Sequence, residues 1–195
     1  FRGELYDNND FGLLAGHPNT DETIPALATS WAMSADGMTA YFRLDPNAKF
    51  TDGQPVTVDD FFYTFYFHRS PWAKADWYAD HYTREWGGVT KYDDHTLAVK
   101  APRKRPYQLE LLGGLRPTPR QFFKDFGPNY EKSYNDRFHP TTGPYYVKSE
   151  GFLREKSITL TRVTDWWGDR RKYYRHRYNP DAIQYGVIRE LDSAY

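Results

Sequence analysis

The chain has no cysteine among its 195 residues. That removes disulfides, thiolate nucleophiles, cysteine-ligated zinc and iron–sulfur clusters. It says little about compartment, since cytoplasmic proteins and some exported ones do without bridges. Charge of one sign is not in excess either: 26 Lys+Arg stand against 26 Asp+Glu, so no global field draws the molecule to nucleic acid or an anionic membrane. No apolar run approaches the roughly 18 residues of a membrane span. His17, His68, His81, His95, His139 and His176 are scattered without H-x-x-x-H spacing, so neither a metal site nor a cofactor is implied. No signal peptide is visible, yet the chain begins with Phe1 and not Met, which reads as processing, truncation or a fragment.

Aromatic rings are what the chain has in abundance. They make up 18% of it, with 17 Tyr and 6 Trp. Tyr and Trp join a flat apolar body to a polar tip, which suits concave ligand sites and wet interfaces. The plainer reading is that rings replace aliphatics in a β-rich core.

Around Asp36-Gly37 the sequence predicts a hairpin. Ala40, Phe42 and Leu44 alternate with Thr39, Tyr41 and Arg43, the period-2 pattern of a half-buried strand. A helix is expected to open at Thr57, with Asp59 and Asp60 in its first turn where the dipole favours carboxylates. Val58, Phe61, Phe62 and Phe65 give it an apolar face at helical spacing. Asp60, three residues after Thr57, makes an imperfect capping box, so this acidic pair reads as capping chemistry and not as an acid–base dyad. A second hairpin is expected around Asp93-Asp94, and a helix from Pro119 to about Phe126. Two further strands flank the turn-prone Glu150-Gly151, and Ile183, Tyr185 and Val187 alternate near the end. Strands and helices mix without a βαβ rhythm, so the fold class is α+β, a mixed α/β arrangement.

Read together, these segments resemble the extracytoplasmic solute-binding proteins of ABC importers, family 5, of oligopeptide/dipeptide-binding type. A first signature stands as Pro25, Leu27, Ala28, Ser30 and Trp31, then Asp36-Gly37, Tyr41, Phe42 and Leu44. Lys49 to Gly53, Pro55-Val56-Thr57 and Asp60 complete it. A second, G-T-G-P-Y, is matched by Thr142-Gly143-Pro144-Tyr145 with Thr141 in place of the first Gly. A third is matched by Ser157 to Leu160 and Asp165-Trp166-Trp167-Gly168; a fourth by Asp181, Ile183, Tyr185, Val187 and Ile188, with Glu190 where the family has Asp. The wording of Thr51–Asp60 and Lys91–Thr96 is similar to the branch that handles microcin-C-like or longer peptides.

The resemblance implies the first, N-terminal lobe of a two-lobed periplasmic-binding-protein-like fold (type II, cluster C), the second lobe being absent. Residues 1–47 and 140–195 would form the main sheet subdomain and residues 48–139 a smaller accessory one. It implies a non-enzymatic protein, periplasmic or membrane-anchored as a lipoprotein, that closes on a peptide and presents it to a membrane permease. Its partners would be a peptide ligand, the permease and the second lobe, with no nucleic acid. The aromatic loop carrying Trp77, Tyr78 and Tyr82 would face the ligand, or else pack the lobe's own surface. Gly143 and Pro144 would be structural, and Trp166 and Trp167 would divide, one buried and one capping the sheet.

Other readings stand beside this one. Within the family the ligand could be an oligosaccharide or chelated nickel. A carbohydrate-active enzyme could use Asp59/Asp60 or Asp76/Asp80 in an aromatic cleft, although nothing in the sequence pairs an apolar-buried Glu with a second carboxylate. The basic, ring-rich run Asp169 to Tyr178, with Pro102 to Pro106, could contact nucleic acid; a solvated surface loop is the simpler expectation.

Overall fold

The structure is a computed structural model that describes residues 5–6, 9–73 and 76–187. Ile188 and Glu190 of the fourth motif, and Phe1, Arg2 and Gly3, lie outside the described residues. Among the described residues, nine strands fall into three antiparallel sheets. Strands β1 (Leu14–Gly16) and β2 (Thr23–Pro25) form a short hairpin. A four-stranded sheet has the order β3-β4-β6-β5, with β3 Ala28–Met33, β4 Thr39–Leu44, β5 Gly88–Lys91 and β6 Thr96–Lys100. The third sheet is β7 (Tyr145–Leu153), β8 (Ser157–Arg162) and β9 (Ala182–Gly186). Among the described residues, no helix is long and apolar enough to cross a membrane.

Both expected hairpins form. Asp36 Oδ1 accepts the Met38 backbone N–H at 2.9 Å while Gly37 takes φ +70°, the left-handed geometry that a residue without Cβ adopts at little cost. The register places Trp31 opposite Phe42 and Phe42 opposite Leu97. Ala40, Phe42, Leu44, Leu97 and Val99 therefore share the buried face, and Tyr41 emerges on the other. Strands β3 and β4, from before residue 48, share this sheet with β5 and β6 from after it.

Helix α1 (Val58–Arg69) begins at Thr57, whose backbone N–H donates to Asp60 Oδ2 at 2.8 Å. Val58, Phe61 and Phe65 are buried in the main core with the sheet residues. Phe62 departs from the expected face and is 41% exposed; each residue turns about 100° around a helix, so Phe62 lies one step beyond the Phe61–Phe65 line. Helix α2 (Asp76–Arg84) packs against α1, so the segment expected to be an aromatic loop is a helix. Two short helices follow, α3 (Gln108–Gly113) and α4 (Tyr130–Tyr134).

Three further expectations are corrected. Pro119 to Phe126 forms successive turns and no α-helix: Phe122 and Phe123 donate to Pro119 O, and Phe126 to Phe123 O. Packing overrides propensity there, because Phe123, Phe67 and Tyr134 build their own core with Phe122, Phe126 and Tyr130 against it. Glu150-Gly151 lies inside β7, at an irregularity between Val147 and Phe152. The chain reverses instead at Arg154–Lys156, where Glu155 takes φ +59°. Finally, Trp166 and Trp167 do not divide, being 3% and 8% exposed.

Candidate ligand-binding cleft

The framework of the cleft converges on Thr142. Both indole N–H groups, of Trp166 and Trp167, donate to Thr142 O, at 2.9 and 2.8 Å. Thr142 N–H and Oγ1 in turn donate to Asp10 Oδ1, at 3.2 and 2.9 Å. Beside it, Asn9 Oδ1 accepts the Tyr145 N–H at 2.9 Å and Asn9 Nδ2 donates to Thr141 Oγ1 at 2.8 Å. Gly143 makes this approach possible, since a Cβ there would stand 1.9 Å from Asn9 O. The backbone of residues 9–11 is thereby fastened to the Thr-Gly-Pro-Tyr turn, a buried polar network with its members satisfied.

The run from Asp169 to Tyr178 belongs to the same framework and is no solvated loop. Arg162 holds Asp169 through two bonds of 2.8 and 2.9 Å. Arg171 reaches Asp45 Oδ2 at 2.9 Å and the Ala26 carbonyl at 3.1 Å. Tyr174 is fully buried and donates to Pro25 O at 3.0 Å.

Between this framework and the helices lies a cavity of about 420 Å³. Helix α1 contributes Phe67 and His68, and α2 contributes Tyr78 and Tyr82 one turn apart on one face. Tyr6 and Asp10 come from the N-terminal segment, Arg116 from the segment after α3, and His139 from the loop before the Thr-Gly-Pro-Tyr turn. The rings are layered. His68 lies against Tyr82 at 4.2 Å with planes 6° apart, and against Tyr78 at 5.3 Å. Tyr82 also stacks on Trp86 at 4.9 Å, and Tyr6 on His139 at 3.9 Å.

Two opposite charges share this wall. Burial pushes the Asp10 carboxyl up to about 6, against the pull of its Thr142 bonds and of Arg116. His68 is pushed down to about 4, by burial first and then by His139 and His81, so at neutral pH it is an uncharged ring. Burial also raises the Tyr82 hydroxyl, keeping it protonated. The remaining carboxylate pairs are committed elsewhere: Asp59 accepts Lys91 Nζ at 2.9 Å, Asp60 caps α1, and Asp80 pairs with Arg84 at 2.6 Å.

Of the three rings singled out in the sequence, Tyr78 and Tyr82 line the cavity. Trp77 does not. It is 67% exposed and stacks on His81 at 5.0 Å, on another side of α2. Residues missed in the sequence are Asp10, Arg116, His68 and His139. His68 lies within the aromatic-rich interval from Phe61 to Trp86, a signal that could have drawn attention to it, whereas nothing near Asp10 or Arg116 marks them, because their neighbours are more than a hundred residues away.

Residues 22–195 match the family model for bacterial extracellular solute-binding proteins, family 5 Middle. The chain belongs to this family. Among family 5 relatives, it is 30% identical over 174 residues to the periplasmic oligopeptide-binding protein OppA of Escherichia coli, covering 80% of this chain and 30% of OppA. It is 31% identical over 192 residues to a probable ABC transporter-binding protein of Deinococcus radiodurans, covering 93% and 32%. A family 5 structure with the same fold is the periplasmic oligopeptide-binding protein OppAIV of Borrelia burgdorferi, with TM-score 0.76, 20% identity, and 99% and 40% of the two chains covered. Haemophilus influenzae OppA, in complex with the peptide RPPGFSPFR, superposes with TM-score 0.70 at 21% identity, over 92% and 36%. The chain spans about a third of the length of the curated relatives it matches.

Proposed function

We propose that this chain is part of the substrate-binding component of an ABC importer, which captures peptides outside the cytoplasmic membrane and delivers them to a permease. The observation that carries the reading is the cavity walled by Tyr78 and Tyr82 within a family 5 fold. Its wall suits a peptide because rings and a few polar groups offer contact area without demanding one sequence. Tyr78 and Tyr82 are assigned to the ligand side. Trp77, exposed beside them, is assigned to the rim that a second lobe would meet on closure. A second lobe, as the family resemblance implies, would complete the cleft, so these 195 residues alone are expected to hold peptide weakly.

Isothermal titration of a mixed tri- to octapeptide library tests this. The full-length gene product is expected to bind and this chain alone to bind poorly. Low-micromolar binding by the chain alone would contradict the half-cleft reading, and no binding by the full-length product would contradict the peptide reading.

A further inference from the structure

We propose that the cavity between α1, α2 and the Thr142 framework receives a single aromatic side chain of the cargo peptide. This rests on the peptide-binding reading above and names what that wall selects.

Size comes first. At about 420 Å³ the cavity lies near the low end of the roughly 300–1,000 Å³ typical of ligand sites. That is ample room for the bulkiest side chain, tryptophan included.

Charge then excludes alternatives. Asp10 and Arg116 face the same space with opposite signs and attract one another. Because the two charges offset one another, a charged side chain entering there loses its hydration without finding a net opposite charge. His68, held neutral, adds no charge to either side. The favoured occupant is uncharged.

Ring geometry separates aromatic from aliphatic. His68 and Tyr82, and Tyr6 and His139, lie nearly parallel in pairs, with planes 6° and 3° apart. Each of these rings has given at least one face to its partner, so what it offers the cavity is a positive edge or a remaining negative face. A flat π system can meet either one, edge to face or offset-stacked. An aliphatic side chain of the same size gains burial without this complementarity.

The test uses the full-length gene product and alanine pentapeptides carrying Phe, Trp, Leu, Lys or Glu at each position in turn. At the best position, Phe and Trp are expected to bind about tenfold more tightly than Leu, with Lys and Glu weaker still. Tyr78 is 47% exposed, so Tyr78→Leu leaves the core intact; it is expected to reduce the Phe/Leu preference to within about threefold, and Tyr78→Phe to restore it. Equal affinity for Phe and Leu, or a preference for Lys or Glu, overturns the inference while the peptide reading survives. A Phe preference that persists in both Tyr78→Leu and Tyr82→Leu also overturns it. Failure of every peptide to bind overturns both readings together.

Discussion

Arg171 Nη1 lies 2.9 Å from Asp45 Oδ2, joining segments 126 residues apart. Its other guanidinium nitrogen donates to the carbonyls of Ala26 and Ala28, at 3.1 and 3.4 Å. The pair is largely shielded from water, with side-chain exposures of 20% and 9%. Removing one partner strands the other charge.

Arg171→Met is therefore expected to destabilise the fold by about 2–4 kcal/mol, read as a lower urea midpoint. Arg175→Met, at an exposed position of the same run, is expected to change stability by less than about 0.5 kcal/mol. Equal effects would return the whole run to the status of a solvated loop.

Gly143→Ala places a Cβ 1.9 Å from Asn9 O, a collision with backbone that no side-chain rotation relieves. The expected result is a loss of more than about 3 kcal/mol, or failure to fold. Gly127→Ala is the control, because an added Cβ there meets nothing within 4 Å. It should be neutral or stabilise by up to about 1 kcal/mol. Circular dichroism and thermal unfolding of both variants decide the matter.

Trp166 and Trp167 share one acceptor, Thr142 O. Either indole replaced by Phe leaves that buried carbonyl one donor; both replaced leave it none. The double variant is expected to lose about 1 kcal/mol more than the sum of the singles. Strict additivity in a double-mutant cycle would show that the shared bond contributes nothing beyond packing.

The pH response has two opposed parts. Asp10 has its carboxyl raised from 3.8 to about 6, so the native state holds that proton more tightly than the unfolded chain. Its contribution to stability falls as pH rises through that window and is lost above it. His68 is lowered from 6.5 to about 4, so the unfolded chain takes up the proton first. Its contribution is complete above pH 6.5 and lost as pH falls toward 4. His68→Gln should therefore tilt the urea midpoint, relative to wild type, downward with rising pH, and Asp10→Asn should tilt it upward. Parallel profiles for the two variants would refute the assignment.

Elements specified by neighbouring residues were readable in the chain. The Asp36-Gly37 turn, the alternation of Ala40, Phe42 and Leu44, and the Thr57–Asp60 start of α1 all act within a few positions. The failures have another origin. Pro119 to Phe126 has the ends of a helix, but its phenylalanines are recruited into the Phe67–Tyr134 cluster. Trp166 and Trp167 look interchangeable until Thr142, 24 and 25 residues earlier, supplies the acceptor that buries both. The cleft was half legible for the same reason: helical spacing groups Tyr78 with Tyr82, whereas Asp10 arrives through a bond spanning 132 residues.

Thr142 has a consequence for recognition. The same residue that two indoles pin from behind also fixes the Asp10 carboxylate facing the cavity. Asp10 is thus oriented by the folding of the protein itself, and under the proposed peptide-binding reading its conformational freedom is surrendered once instead of at each encounter. On that reading, whatever adapts to ligands of different shape, it is not this side of the cleft.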